Sequence, residues 1–312
     1  MPDDGIHKLL IVIAGPTAIG KTALAITLAR HFSTEIISAD SRQFFREMSI
    51  GTAKPSPEEL AAARHHFIDS HSINTFFSTG DFEKQALAAL DDIFSRNSLA
   101  IMVGGSGLYL DAVTKGLDTL PDTDMQIREQ LNTLFDTEGL EPIREQLSSV
   151  DPEYYAKVDQ SNPQRMIRGL EFFLSTGKRV STFLTNSSKQ RPFNTIKIGL
   201  NMERPQLYQR INDRVDLMLA NGLLDEVRSL QEYKELNALK TVGYAELFDY
   251  LDGQLSFEQA VDKIKQNTRR FAKRQLTWFR RDQEIEWFDP KTPADEVISY
   301  IEACILKFKP EQ

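Results

Sequence analysis

The chain alternates short, wholly apolar runs with longer stretches in which apolar residues recur every three or four positions. Leu9-Leu10-Ile11-Val12-Ile13 and Leu99-Ala100-Ile101-Met102-Val103 are runs of the first kind, closed by Ala14-Gly15 and Gly104-Gly105. Such a run reads as a strand buried on both faces, as parallel sheets require. Glu35-Ile36-Ile37-Ser38 and Thr195-Ile196-Lys197-Ile198-Gly199-Leu200 read as further strands. Segments 21–31 and 82–94 carry helical spacing. Strands alternating with helices predict an α/β protein built on a parallel sheet with helices flanking it. From Asp124 to Thr176 the chain becomes charged and helical in period, with breaks at Pro142, Pro152 and Pro163. We read this as a helical insertion domain over 118–192, set into a core made of 1–117 and 193–312. From Gln206 onward the pattern is helical again, which predicts a helical C-terminal part.

The turn after the first strand carries specific chemistry. Gly15-Pro16-Thr17-Ala18-Ile19-Gly20-Lys21-Thr22 fits G-x-x-x-x-G-K-[ST] between a predicted strand and a predicted helix. Its glycines let the backbone wrap a phosphate, and its N–H groups and helix N-terminus supply positive potential. Lys21 reaches the terminal phosphate, and the Thr22 hydroxyl can sit on Mg2+. A P-loop kinase normally carries an acid after another core strand. Here the third strand ends Val103-Gly104-Gly105-Ser106-Gly107, without one. The nearest acid at a strand end is Asp40. It suits a metal-bound water, a catalytic base or a plain turn cap, and residue chemistry alone leaves these three open.

Composition adds limits. With 312 residues and 41% hydrophobic content, a large core is within reach. The longest apolar runs fall far short of the ~18 residues of a membrane span. Cys304 is the one cysteine, so disulfides and Cys-rich zinc sites are excluded. The acidic opening Met-Pro-Asp-Asp-Gly is no signal peptide, which predicts a cytoplasmic protein. The net charge is −8, but Lys263 to Arg281 holds eight bases and no acid. A basic segment on an acidic body predicts a local anionic partner.

Several segments together carry a family likeness. They are the phosphate loop, Ile37-Ser38-Ala39-Asp40-Ser41-Arg42-Gln43, Ile50-Gly51-Thr52-Ala53-Lys54-Pro55 and Val103-Gly104-Gly105-Ser106-Gly107. Pro163-Gln164-Arg165-Met166-Ile167-Arg168, Val242-Gly243-Tyr244 and Lys273-Arg274-Gln275-Leu276-Thr277-Trp278-Phe279-Arg280 complete the set. In this order they resemble the tRNA dimethylallyltransferases of bacterial type, over nearly the whole chain. The resemblance implies a P-loop-type fold whose loop, Gly15 to Thr22, holds dimethylallyl diphosphate. It implies transfer of the dimethylallyl group to N6 of adenosine 37, beside the tRNA anticodon, with Mg2+ assisting and diphosphate leaving. Asp40 is then the base, with Ser106, Lys21 and Arg214 completing the catalytic set. Contacts to the anticodon stem-loop fall on Asp40, Ser41, Arg42, Gln43 and Ser106, on Gln164, Arg165 and Arg168 of the insertion, and on Lys273, Arg274, Gln275, Thr277, Trp278 and Arg280. Arg128 joins them as the weakest member, balanced against a solvated helix face. The implied enzyme is a monomer. Ser106 stands where the family usually has Thr, and Phe44-Phe45 where Val-Tyr is usual. Three other readings stay in view: a small-molecule kinase, an RNA-binding protein with a dead loop, and a prenyltransferase acting on free adenine nucleotides. His65, His66 and His71 read as packing or surface residues, since their irregular spacing has no Cys beside it.

Overall fold

The computed structural model describes residues 8–185 and 188–308. The elements run β1 (Leu9–Ala14), α1 (Lys21–His31), β2 (Ile36–Ser38), α2 (Pro57–Ala62), β3 (His65–His66), α3 (Thr79–Phe94), β4 (Leu99–Gly104) and α4 (Gly107–Thr114). Four helices follow: α5 (Met125–Glu138), α6 (Glu141–Val150), α7 (Pro152–Lys157) and α8 (Pro163–Thr176). The chain then makes β5 (Asn194–Leu200), α9 (Arg204–Ala220), α10 (Leu223–Ser229), α11 (Tyr244–Leu251), α12 (Phe257–Phe279), β6 (Ile285–Phe288) and α13 (Ala294–Lys307). Among the described residues, no helix is long and apolar enough to cross a membrane.

Six strands form one sheet in the order β3-β2-β4-β1-β5-β6, and every pairing is parallel. β1 lies inside, against β4 on one side and β5 on the other. Its alternate residues enter different cores. Leu10, Val12 and Ala14 pack with the inner faces of α3, α10, α11 and α12. Leu9, Ile11 and Ile13 pack with Ala25, Leu28 and Ala29 of α1 and with Val297, Ile298 and Ile301 of α13. Burial on both faces is why the strand is apolar throughout. The loops at the carboxyl ends of β1, β2 and β4 carry Gly15–Thr22, Asp40 and Ser106, and open parallel sheets place ligands at that edge.

The chain divides into two compact units. One runs to Thr114 and resumes at Gln190; the other is Lys115–Lys189. The reading from sequence had drawn these borders at 118 and 192. The second unit has its own core of Leu131, Ile143, Leu147, Met166, Ile167 and Leu170. Its prolines open helices as much as they break them. Pro142, Pro152 and Pro163 all sit in the first turn of a helix, where the missing N–H costs nothing.

Two strands escaped the sequence pattern. β3 is two residues long, and its histidines are partnered locally: His66 Nε2 lies 2.7 Å from Glu35 Oε2, and His65 Nδ1 lies 2.8 Å from the Ala63 carbonyl. β6 corrects the wholly helical C-terminal expectation. It has four residues flanked by acids, too short and too charged to show a period. Those acids have a purpose in the sheet. Lys197, buried in β5, places its Nζ 2.8 Å from Asp282 and 2.6 Å from Glu284, at the entrance to β6. Lys197→Met keeps the stem and strands the carboxylates. We expect a loss of about 1–3 kcal/mol, because the largely buried Asp282 loses a charge-assisted hydrogen bond while the exposed Glu284 is rehydrated. A lower urea midpoint with an unchanged m-value checks this.

Candidate active site

The phosphate loop takes its shape from close packing. A side chain on Gly15, whose φ is +149°, would put its Cβ 2.8 Å from the Leu200 carbonyl oxygen. Ile19 is fully buried with Met202, Leu207, Ile211 and Ala272, so the loop is pinned from below by α9 and α12. Lys21 turns back over the loop, its Nζ donating to the Pro16 carbonyl at 2.8 Å. Arg210 Nε donates to the Ala18 carbonyl at 2.9 Å. Gln275, on α12, ties the loop to the end of β4: its Oε1 accepts from Thr17 N–H and its Nε2 donates to the Gly105 carbonyl, both at 2.9 Å.

These parts surround a cavity of about 470 Å³. Thr17 to Thr22 line it, with Asp40, Gln43, Arg210, Arg214 and Gln275. Burial and the neighbouring Arg214 charge push the Lys21 ammonium down to about 7, against the pull of Asp40. Arg214 is also held below its ordinary value by burial, and Asp40 opposes that too. Lys21, Arg210 and Arg214 converge on the lining, where the carboxylates of Asp40, Glu59 and Asp213 also stand. Asp40 Oδ1 accepts from the N–H groups of Arg42 (2.9 Å) and Gln43 (3.3 Å). Asp40 is therefore both a turn cap and a cavity residue, and its Oδ2 makes no hydrogen bond among the described residues. Ser106 Oγ accepts from the Ser41 N–H at 3.3 Å. Arg42 Nη1 donates to the Ser41 carbonyl at 3.1 Å, while its Nε is buried without a partner. Gln43 receives the Ser38 hydroxyl and donates to the Thr52 and Ala53 carbonyls.

The remaining predicted residues fall into two groups. On α12, Lys273, Arg274, Thr277 and Trp278 line a shallow groove of about 450 Å³ with Arg270 and Arg281. Arg280 is exposed at the helix end. In the second unit, Arg128, Gln164 and Arg168 form one network. Glu171, almost wholly buried, accepts from Arg128 (2.7 Å), Arg168 (3.2 Å) and Thr123 (2.8 Å). The other arm of Arg128 donates to Gln164 Oε1 at 2.9 Å. Arg165 stands exposed beside them.

Gln275 needs a correction. It was expected to touch RNA, but it is 7% exposed and both ends of its amide are used inside the protein. Sequence reasoning missed Arg210, Asp213, Glu59, Thr52 and Ala53 as cavity residues, and Glu171 as the hub of the arginine network. Helical spacing could have found two of them: Arg210 lies four before Arg214, and Glu171 three after Arg168.

The IPP transferase family profile matches residues 43–282. A tRNA dimethylallyltransferase of Christiangramia forsetii is 54% identical over 300 residues, covering 96% of this chain and 99% of that protein. One from Flavobacterium johnsoniae is 51% identical, covering 94% and 97%. The chain belongs to the tRNA dimethylallyltransferase family. Two solved members share its architecture. The tRNA isopentenylpyrophosphate transferase of Bacillus halodurans is 38% identical, with a TM-score of 0.71 and 96% of each chain covered. A eukaryotic dimethylallyltransferase, captured acting on tRNA, is 28% identical with a TM-score of 0.78; 98% of this chain and 81% of that one are covered.

Within this family member the Gln275 bridge is a feature to break. Gln275→Leu keeps the volume and removes two hydrogen bonds, leaving the buried Gly105 carbonyl unpaired and the Thr17 N–H to the solvent of the cavity. We expect a loss of about 1–3 kcal/mol in stability, seen as a lower urea midpoint. The KM for the diphosphate donor should rise while tRNA affinity measured without donor stays constant.

Proposed function

We propose that this chain transfers the dimethylallyl group of dimethylallyl diphosphate to N6 of adenosine 37 in tRNA. The observation that carries the reading is the union of a phosphate loop and a carboxylate in one cavity, on a family member that also bears an exposed basic helix. The N6 lone pair attacks C1 of the dimethylallyl group. The C1–O bond breaks, its electron pair leaves on the diphosphate, and the N6 proton passes to Asp40. Oδ1 is already committed to backbone donors, so Oδ2 is the oxygen left to take the proton. Lys21, Arg210, Arg214 and the loop N–H groups meet the charge that grows on the leaving group. The adenine must leave its stack to reach the cavity, as in other enzymes that work on base atoms.

The residues present also fit Mg2+. Thr22 lines the cavity and its hydroxyl makes no hydrogen bond among the described residues, which leaves it free as an oxygen ligand beside the donor phosphates. When bound, the ion would neutralise diphosphate charge. Ser41, Arg42, Gln43 and Ser106 would meet the RNA after β2 and β4; Arg128, Gln164, Arg165 and Arg168 would do so from the insertion; and Lys273, Arg274, Thr277 and Arg280 would hold phosphates of the anticodon arm, with Trp278 offering its ring beside them. The enzyme is read as a monomer. Its place of work, in this reading, is the cytoplasm.

Incubation with labelled dimethylallyl diphosphate, Mg2+ and total tRNA tests the proposal. Label is expected in tRNA adenine, whereas ATP turnover without RNA and no label would favour a kinase. Asp40→Asn should lower the single-turnover rate by about 100-fold or more and spare tRNA affinity; an unchanged rate removes Asp40 from the chemistry. Lys273→Ala with Arg274→Ala should weaken tRNA binding and flatten its log-salt dependence by about one to two units, since each lost phosphate contact removes a counterion-release term. Titrations at several salt concentrations read the slope directly.

A further inference from the structure

Ile50-Gly51-Thr52-Ala53-Lys54-Pro55 is among the most specific stretches of the sequence, yet the reaction above assigns it no task. In the structure it is a wall: Thr52, Ala53 and Pro55 line the cavity. The group that shapes this wall is remote in sequence. Glu226, on α10, accepts the N–H groups of Ser49 (3.0 Å) and Ile50 (2.7 Å) on Oε2. Its Oε1 accepts the Gly51 N–H at 3.0 Å and the Tyr244 hydroxyl at 2.6 Å. Three consecutive amides close around one carboxylate, the arrangement that backbone nests use for anions. Tyr244 presses on the same turn. A Cβ on Gly51 would lie 2.5 Å from the Tyr244 ring, so only glycine lets the loop approach. Burial and the adjoining Glu226 carboxylate push the Tyr244 phenol up, which keeps it a donor. At the far end of the segment Gln43 Nε2 holds the Thr52 and Ala53 carbonyls, at 3.2 Å each. Lys54 Nζ ties the segment back to the Phe45 carbonyl at 2.6 Å. Glu226 itself does not line the cavity.

The wall is one of the apolar parts of the lining. Lys21, Arg210 and Arg214 bring positive charge suited to diphosphate; Ala53 and Pro55 bring apolar surface and no cation, as Ile19, Val103 and Phe271 do elsewhere in the cavity. We propose that Glu226, supported by Tyr244, is a positioning residue that sets the Thr52–Pro55 wall against the hydrocarbon chain of the donor and so limits the chain length accepted. The proposal rests on the donor reading given above. Loosening the carboxylate lets the wall retreat. The site then holds a five-carbon chain less well and tolerates a ten-carbon one better.

Glu226→Gln and Tyr244→Phe test this, with Lys21→Ala run in parallel. Each is assayed with dimethylallyl and with geranyl diphosphate at saturating tRNA, and each is titrated with tRNA alone. For Glu226→Gln the dimethylallyl diphosphate KM should rise about tenfold and kcat fall less, a split that marks lost ground-state binding. The geranyl-to-dimethylallyl ratio of kcat/KM should rise by about tenfold. Tyr244→Phe should move both quantities the same way by a smaller amount, and tRNA affinity should hold within about twofold in both variants. An unchanged donor KM and chain-length ratio in folded Glu226→Gln, while Lys21→Ala raises the KM, overturns the role of Glu226 alone. If Lys21→Ala also leaves the KM unchanged, the donor reading itself has failed. Parallel losses of donor use and tRNA affinity would make Glu226 a residue of general stability, which also overturns the proposal.

Discussion

One side-chain amide joins three of the pieces of chain that make the cavity. Gln275 accepts a hydrogen bond from the Thr17 N–H of the phosphate loop and donates one to the Gly105 carbonyl beyond β4, while its backbone belongs to the long basic helix α12. An amide is the right group for this duty, because it donates at one end and accepts at the other without carrying charge into a site built for an anion. The consequence is mechanical coupling. The surface of α12 that bears Lys273, Arg274 and Thr277 cannot shift without pulling on the loop that would hold diphosphate.

The electrostatic character of the cavity follows from the same crowding. Lys21, Arg210 and Arg214 come together with the carboxylates of Asp40, Glu59 and Asp213, and burial, more than the neighbouring charges, lowers the affinity of Lys21 and Arg214 for their protons. In the proposed reaction these groups stand beside the charge that grows on the leaving group, once Lys21 exchanges the Pro16 carbonyl for a phosphate oxygen. The second unit solves a similar problem differently. Buried Glu171 absorbs part of the charge of Arg128 and Arg168 and fixes their direction, so these arginines are aimed rather than simply present.

How far the molecule was legible before its structure depends on the range of the interactions. β1 and β4 were readable because both of their faces are buried, which leaves an unbroken apolar run, and β5 because its Ile196, Ile198 and Leu200 alternate. The phosphate loop was readable because its glycines, lysine and threonine are spaced by local geometry. β3 and β6 were not, since a two-residue strand has no period and β6 takes its place in the sheet from Lys197 pairing across strands. The same holds for Gln275, Glu226 and Glu171. Each looks like an ordinary polar helix residue until the fold brings its partners to it, from 258, 177 and 43 positions away. Arg128 was balanced between a solvated face and a contact because its meaning lies in that buried carboxylate.

The position of β1 has a consequence for synthesis on the ribosome. Its partner β4 is complete at Gly104, but its partner β5 begins only at Asn194, and β6 at Ile285. Between them the 115–189 unit is made, and its ends meet through a hydrogen bond from Lys189 N–H to the Lys115 carbonyl at 2.7 Å. Once that unit has closed, the connection from β4 to β5 is short in effect, and bringing β5 onto β1 costs the entropy of a small loop rather than of ninety residues. Until then the Leu9–Ala14 strand presents an open apolar edge to every neighbouring nascent chain. Closure of the insertion thus shortens the loop that β5 must close onto β1.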